Sequence, residues 1–230
     1  MTAAAPEPAR IELASVNVGV PSLLATVRDE HVWSGIRKQP VDPASVLWLS
    51  SVNLAGDGQA DLSVHGGVDK AVYAYPSEHL AGWAADLDQP ELPASPTAPF
   101  GENISTRGAT EDDVYIGDVW QWGTAVLQVA QPRWPCQKLT LHRRSAAVGT
   151  LMRSTGRTGW YLRVVETGVV DVAGPITVVE RHPAALSVRA ANDAMLDRSL
   201  ADRSTVEALA ALDGVLADEW RLPLVERLAR

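Results

Sequence analysis

The residue with the clearest chemical potential is the single cysteine of the chain, Cys136, which follows Pro135 and lies between Arg133 and Lys138. Proline is favoured in the first turn of a helix, so the thiol is expected near a helix N-terminus, where the partial positive charge favours a thiolate. The two flanking cations act in the same direction. A thiolate is a nucleophile or a soft metal ligand, whereas many free cysteines are small, buried and inert. The local sequence leaves both interpretations open.

A second polar segment, His65–Lys70, leads directly into an apolar run. Its adjacent glycines, Gly66 and Gly67, allow a ligand to approach the backbone closely and leave N–H groups accessible. The side chains of His65 and Lys70 add donors for an anionic group such as a phosphate. A simple turn with a surface histidine has the same composition. On its own, this segment indicates either a binding loop or a turn.

Polar residues also stand beside glycine in two later segments. Phe100–Ile104 presents Glu102 and Asn103 either to a ligand or at a tight turn that enters a strand. Further along, Tyr161 and Arg163 share one face of a predicted strand because side chains alternate along it. That face meets solvent, or it lines a polar cleft in which Arg163 binds an anion.

The elements that must position these residues are mainly β. Short segments rich in Val, Ile, Trp and Tyr recur, separated by Gly, Pro, Asn or Asp. The predicted strands are Ile11–Val18, Val46–Asn53, Lys70–Tyr75, Asp118–Trp122, Ala125–Gln131, Gly159–Glu166 and Ile176–Glu180. Gly123-Thr124 is predicted to join two of them as a hairpin. Many short strands with glycine-bearing turns favour a closed barrel or sandwich over a βαβ fold.

Two helical regions interrupt the predicted strands. Glu78–Leu87 follows Pro76-Ser77, which is a candidate capping site. Gln137–Met152 is predicted to contain one or two helical pieces, the first of them next to the cysteine. The Pro-rich stretch Pro90–Pro99 is predicted to be a surface loop or lid.

The character of the sequence changes after residue 183, where Ala and Leu dominate and Gly214 is the only glycine. We therefore predict a β domain over 1–183 and a unit of three helices over 184–230. Ser204–Glu207 fits a capping box. The spacing of Trp220, Leu224 and Leu228 predicts a third helix, and Pro223, which does not suit a helix interior, is an alternative start for it. Fewer than about 50 residues rarely fold alone, so the unit is expected to pack on the β domain or on another subunit.

Composition excludes several functional classes. A net charge of −8 argues against a nucleic-acid binder, which requires a basic face. No apolar run approaches the ~20 residues of a membrane helix, and Met1–Arg10 lacks the features of a targeting peptide. One cysteine forbids an intrachain disulfide and a cysteine-ligated iron–sulfur cluster held by this chain alone. We therefore expect a cytoplasmic protein that uses neither nucleic acid nor membrane as a partner.

In their order and their residues, the motifs resemble those of the MOSC family, which is named for the C-terminal domain of molybdenum-cofactor sulfurases. The resemblance is strongest to the YiiM-like branch of that family. The matching segments are His65–Pro76, Phe100–Ile104, Val114–Asp118, Gln131–Cys136, Lys138-Leu139 and Gly156–Arg163. The helical tail also resembles an extension typical of that branch, so the resemblance covers nearly the whole chain. It implies a mainly β fold, a MOSC-type β-barrel with a few peripheral helices, followed by a small three-helix C-terminal unit.

The resemblance further implies that the protein binds the molybdenum cofactor, a molybdopterin-type pterin with a dithiolene and a phosphate. Cys136 would then be the metal ligand, since a soft thiolate suits a metal already held by sulfur. The catalytic residues expected on this basis are Cys136, Asp69 and His65. The cofactor-binding residues expected are His65, Gly66, Gly67, Lys70, Asn103, Arg133 and Arg163.

The reaction expected from the resemblance is two-electron reduction of a small N-hydroxylated compound, such as a hydroxylaminopurine, hydroxylamine or amidoxime, to an amine. Asp69, Glu102 and His65 are candidate proton donors, and the sequence does not rank them. Electrons must come from a separate flavin or iron–sulfur reductase, because the chain has no Gly-x-Gly-x-x-Gly fingerprint after a strand.

Two alternatives from other functional classes stay open. Cys136 could carry a persulfide in a sulfur-carrier protein without metal, or the chain could bind or store the cofactor without turnover. Trp220 in the helical tail also makes a homodimer a reasonable expectation.

Overall fold

Seven strands of the computed structural model close into a β-barrel, and the model describes residues 10–60, 66–92, 98–196 and 201–230. The strands are β1 (Arg10–Val18), β2 (Ser22–Val27), β3 (Glu30–Ser34), β4 (Gln39–Pro40), β5 (Val46–Leu49), β6 (Val72–Pro76), β7 (Ile104–Arg107), β8 (Val119–Trp122), β9 (Ala125–Pro132), β10 (Trp160–Glu166), β11 (Gly168–Asp171) and β12 (Ile176–Glu180). The helices are α1 (Leu80–Leu87), α2 (Gln137–Arg143), α3 (Val148–Thr155), α4 (Val188–Leu196), α5 (Arg203–Ala210) and α6 (Asp218–Leu228).

The barrel runs in the order β12-β8-β9-β10-β6-β7-β1 and closes where β1 pairs with β12. Its pairings are antiparallel except for the parallel pair of β6 and β7. The short strand β4 extends from β1, while β2–β3 and β5–β11 form separate two-stranded ribbons. Closure of the barrel removes the free sheet edges that would otherwise be exposed.

The predicted hairpin between β8 and β9 is confirmed, with Trp122 opposite Ala125. Gly123 in its turn has φ +57°, and a Cβ there would lie 2.3 Å from the carbonyl oxygen of Val169. Glycine is therefore required both by the backbone conformation and by the close approach of β11. Trp120 and Trp122 alternate with half-buried residues and point into the barrel, as the period of two in a strand demands.

Two apolar clusters hold the molecule together. The larger fills the barrel around Trp120 and Trp160 and continues without a break into the helical tail, where it includes Leu209 and Trp220. The expectation that the tail packs on the β domain is therefore confirmed. The domain boundary at residue 183 stays a prediction. The smaller cluster, which includes Trp83, packs α1, α2 and α3 against the outside of β6 and so fixes the start of α2.

Several boundaries differ from those predicted. The strand predicted over Val46–Asn53 ends at Leu49, because the hydroxyl of Ser50 donates to the carbonyl of Asn53 (2.8 Å) and forms a turn. The strand predicted from Lys70 begins at Val72, since Val68–Lys70 forms a 3-10 turn. The strands β2, β3, β4, β7 and β11 were not predicted.

Of the one or two helical pieces predicted between 137 and 152, the structure has two, α2 and α3, but the predicted caps are wrong. Ser77 lies in a 3-10 turn and makes no capping hydrogen bond. The side chain of Asp202 caps α5 by accepting from the N–H of Thr205 (2.7 Å), so the capping box predicted at Ser204–Glu207 is not used. Pro223 lies inside α6, which already begins at Asp218. Within the described ranges, every helix is too short or too polar to cross a membrane.

Candidate functional site

An open cavity, partly continuous with solvent, lies beside the half-buried thiol of Cys136. The wall of the cavity is formed by Ser34, Gly35, Ile36, Lys38, Asp57, Gly58, Gln59, Ala60, Lys70, Tyr73, Gly101, Asn103, Arg133, Cys136, Lys138 and Tyr161. These residues come from the β2–β3 ribbon and the loops that follow it, from the ends of barrel strands and from the start of α2. The thiol therefore faces a cavity that is open to solvent.

Cys136 lies at the N-cap of α2 in an extended conformation (φ −133°, ψ 161°), and its carbonyl oxygen accepts from the N–H of Leu139 (3.1 Å). The predicted position of the thiol at the start of a helix is thereby confirmed. Pro135 lies between the end of β9 at Pro132 and the start of α2, and its fixed φ restricts how the chain enters the helix. The thiol itself makes no capping bond and is left to face the cavity.

Arg133 is the buried cation of the site. Its Nη2 lies 3.9 Å from the sulfur of Cys136, and its guanidinium lies 4.9 Å from the centre of the Tyr73 ring. Burial by itself lowers the pKa of Arg133, but Tyr73, Tyr161 and Cys136 raise it more, so the group stays charged. Its Nη1 is buried and has no hydrogen-bond partner among the described residues. Such a donor is costly unless an acceptor is supplied from outside the protein.

A second buried cation, Lys38, forms an ion pair with Asp57 inside the cavity wall. The carboxylate of Asp57 also accepts from the N–H of Gly19 (2.9 Å) and from the amide of Asn103 (2.9 Å). Burial lowers the pKa of Lys38, and the contact with Asp57 opposes this effect. Asn103 therefore lines the cavity as predicted, yet its amide is already engaged by the protein. The Lys38–Asp57 pair was not found by the sequence analysis.

The glycines of the predicted binding loop, Gly66 and Gly67, affect the cavity only through a contact with one of its wall residues. Gly67 has φ +97°, and its N–H donates to the side chain of Gln59 (3.0 Å), which lines the cavity. Gly66 and Gly67 themselves are not among the wall residues. His65 lies outside the described residues, as do residues 93–97 of the predicted Pro-rich loop.

Lys70, predicted as a cofactor-binding residue, is part of the wall and only 11% exposed. Its ammonium forms an ion pair with Glu219 from the first turn of α6. The same Glu219 oxygen lies 3.4 Å from the side-chain nitrogen of Gln131. The helical tail therefore contacts a residue of the cavity wall, which the sequence did not indicate.

Arg163 and Asp69 lie outside the cavity wall and bind each other at 2.8 Å. Arg163 also donates to the carbonyl of Gly214 (2.6 Å), so it connects the barrel to the helical tail. Tyr161 and Arg163 alternate with the buried Trp160 and Leu162, as residues on one face of a strand do. Two residues along a strand nevertheless separate Tyr161 from Arg163 by about 6.6 Å. Tyr161 reaches the cavity and Arg163 passes beyond it.

Glu102 is buried below the wall, where its carboxyl group accepts from the N–H of Phe100 (2.9 Å) and from the hydroxyl of Ser105 (3.0 Å). Burial raises the pKa of Glu102 to about 7, against the opposing effect of these hydrogen bonds. Burial likewise raises the pKa of Tyr161, whose hydroxyl therefore carries its proton at neutral pH. The site thus holds two acids that remain protonated, wholly or in part, near pH 7.

The wall combines one accessible soft donor with an excess of positive charge. Lys38, Lys70, Arg133 and Lys138 line it, and Asp57 is its only acidic member among the described residues. In the described ranges, no group of three or more His, Cys, Asp or Glu side chains is placed to hold a metal ion. The excess of cations in the wall therefore suits an anionic ligand, and the Cys136 thiol beside it is a soft donor.

A model of the MOSC domain family matches residues 61–177, about half of the chain. This chain belongs to the MOSC family. The matched segment contains the wall residues Lys70, Asn103, Arg133 and Cys136, whereas Lys38 and Glu219 lie outside it.

Three relatives show how far the similarity extends. Protein YiiM of Escherichia coli is 44% identical over 149 residues, which are 64% of this chain and 65% of that protein, a little under two thirds of its length. A protein of Gibberella moniliformis named as a reductase is 34% identical over 152 residues, 66% of this chain and 26% of that protein. The crystal structure of YiiM from Geobacillus stearothermophilus is 32% identical, with a TM-score of 0.75 over 95% of this chain and 99% of that one. The barrel and the helical tail are therefore both part of a shared fold.

Proposed function

We propose that this MOSC protein is a molybdenum-cofactor-dependent oxidoreductase that reduces N-hydroxylated compounds to amines with electrons from a separate redox partner. The observation that supports it most is the pair of Cys136 and Arg133 in an open cavity, with Arg133 Nη1 buried and lacking an acceptor. Membership of the family and the fungal relative named as a reductase support the same conclusion.

The wall residues fit such a cofactor by their chemistry. Cys136 would supply the thiolate that bonds the metal. Arg133, Lys70 and Lys138 would bind the anionic groups, and Arg133 would gain the acceptor that its Nη1 lacks. When bound, the cofactor supplies a two-electron redox centre, and the protein supplies the binding site and the protons.

The proposed reaction has a simple balance. A hydroxylamine takes up two electrons and two protons, its N–O bond breaks, and an amine and water are released. Tyr161 lies in the described wall, and burial raises its pKa, so its hydroxyl carries a proton near neutral pH. Glu102 holds a further proton beneath the wall. Tyr161 therefore joins Asp69, Glu102 and His65 as a candidate donor, and it alone of the described candidates lines the cavity.

The test is production of the protein in hosts with and without molybdenum-cofactor synthesis. We expect close to one molybdenum per chain in the first host only, together with reduction of 6-N-hydroxylaminopurine by an artificial electron donor. Cys136→Ser should abolish the reduction, because oxygen is a poor substitute for a soft thiolate. Full activity in that variant would refute metal ligation by Cys136.

The same measurements separate the alternatives. Labile sulfur on Cys136 without molybdenum would identify a sulfur carrier, a role that a thiol next to a cation also suits. Molybdenum without any turnover would identify a binding or storage protein. The electron donor, the cytoplasmic location and a homodimer remain predictions alongside this proposal.

A further inference from the structure

Two hydrogen bonds between side chains join the buried carboxyl of Glu102 to a half-buried serine of β1. The hydroxyl of Ser105 donates to Glu102 Oε1 (3.0 Å), and the hydroxyl of Ser15 donates to Ser105 (3.0 Å). The amide of Asn17 donates in turn to the oxygen of Ser15 (3.0 Å). Ser15 and Ser105 are direct partners in the pairing of β1 with β7, so the sheet itself holds the two hydroxyls in contact.

Burial decreases along this chain of hydroxyls. Glu102 is 1% exposed and Ser105 is 9% exposed, whereas Ser15 is only half-buried. Neither serine belongs to the cavity wall, although the wall includes Gly101 and Asn103, the residues on either side of Glu102. The chain of hydroxyls therefore connects a carboxyl next to the cavity with solvent at a place outside the cavity.

The charged and titratable side chains that act on Glu102 lie on other elements, and they include Lys38, Tyr73, Tyr75, Arg133 and Arg143. Lys38, Tyr73 and Arg133 belong to the cavity wall. Burial raises the pKa of Glu102 to about 7, so this carboxyl both takes up and releases a proton near neutral pH. A buried acid needs a path for its proton, because bulk water does not touch it.

We propose that Ser15 and Ser105 are relay residues that carry protons from solvent to Glu102 by a route separate from the cavity. The proposal rests on the proposed function, in which reduction consumes two protons while cofactor and substrate fill the cavity. Each hydroxyl gives its own proton to the next oxygen as it receives another, so the net change is one proton moved from solvent to the Glu102 carboxylate. Both oxygen–oxygen distances are 3.0 Å, within the range over which a proton passes along a hydrogen bond.

The test is exchange of the Glu102 proton for deuterium in the full chain made without cofactor synthesis. The protein is mixed rapidly with D2O at about pH 6, below the pKa of Glu102, and followed by infrared spectroscopy. The protonated carboxyl is identified by its C=O band, which shifts on deuteration and is absent from Glu102→Gln. Ser15→Ala should slow the exchange roughly tenfold or more, because the proton then escapes only during a local opening of the structure.

Two variants control for the loss of the hydroxyl. Ser15→Thr keeps a hydroxyl at the same position and should recover the original exchange rate. Ser22→Ala is the matched control, since it removes the hydroxyl of a half-buried serine on β2, and it should leave the rate unchanged. A merely structural role of Ser15 predicts a looser structure and faster exchange in Ser15→Ala, so slower exchange separates the two roles.

The pH titration of the same band shows whether Ser15→Ala acts on the route or on the acidity of Glu102. Ser15→Ala leaves the bond between Ser105 and Glu102 in place, so its midpoint should match that of the unaltered protein. Ser105→Ala should raise the midpoint, because the bond from Ser105 lowers the pKa of Glu102.

Unchanged or faster exchange in Ser15→Ala would overturn the proposal, as would equal slowing in Ser22→Ala, a midpoint raised in Ser15→Ala as far as in Ser105→Ala, or no protonated Glu102 band at this pH. These measurements use protein without the cofactor. Molybdenum content of protein from a host that makes the cofactor therefore decides the proposed function whatever the exchange result.

Discussion

The buried carboxyl of Glu102 is expected to make the protein less stable as the pH rises through the weakly acidic range. Its pKa is raised by burial from 4.5 to about 7, so the folded protein holds this proton more tightly than the unfolded chain does. Between these two values the folded state carries more protons, and the free energy of unfolding falls with rising pH. Below about pH 4.5 the group is neutral in both states and the loss is absent; above about pH 7 the loss is complete.

The magnitude follows from the same shift. At about 1.4 kcal/mol for each pKa unit, the loss across this window is about 3 kcal/mol. Glu102→Gln mimics the protonated group, since its oxygen can accept from Phe100 and its amide can donate to Ser105. The variant should therefore lack this pH dependence.

The assay is urea unfolding of the protein and of Glu102→Gln between pH 4.5 and 8. Because other groups also titrate, the quantity compared is the difference in unfolding free energy between the two proteins at each pH. That difference should change by about 3 kcal/mol in favour of the variant. Glu166→Gln, an exposed carboxyl on β10, serves as the control and should show no such change. A difference that stays constant for Glu102→Gln would refute the reasoning.

Two further predictions concern the cations of the cavity. Lys38→Met should lower the unfolding free energy, measured in urea, by about 3–5 kcal/mol, because it leaves Asp57 buried without its cation. A loss below about 1 kcal/mol would contradict this. The double variant Lys38→Met/Asp57→Asn should recover most of the lost stability. Arg133→Met should leave the stability of the cofactor-free protein unchanged or raise it by about 1 kcal/mol, since it removes a buried charge with an unpaired nitrogen. The same variant should lose most of its molybdenum, and retention of a full complement would show that Arg133 does not bind the cofactor.

Six of the seven strands that the sequence reveals belong to the barrel, where β-branched and aromatic residues alternate or run together, and the seventh, β5, lies in a separate ribbon. The sequence does not predict the ribbon of β2 and β3, because its turn, Arg28-Asp29, contains no glycine or asparagine. Both residues nevertheless adopt left-handed conformations, with φ +50° and +67°. The usual sequence signature of a tight hairpin is therefore missing although its geometry is present. The short strand β7 is hidden because its pairing with β6 is parallel and depends on distant residues.

The site divides in the same way. Cys136 and Arg133 were identified because they share a short segment whose chemistry is local. Lys38, Asp57 and Glu219 come from separate loops and from the tail, and no spacing relates them, so only the folded chain brings them together. Arg163 is a residue type that often binds anions, but its position further along β10 places it at the junction between the barrel and the helical tail.

The way the barrel closes has a consequence for how the chain acquires its structure. Arg10, at the start of β1, pairs with Thr177 in β12, so β1 must wait until β12 has been made before the ring of hydrogen bonds is complete. Contacts so distant along the chain carry a large entropic cost early in folding and slow the reaction. Until then β1 and β12 present unsatisfied edges to other nascent chains. A newly made molecule is thus exposed to misassembly until these two strands have paired.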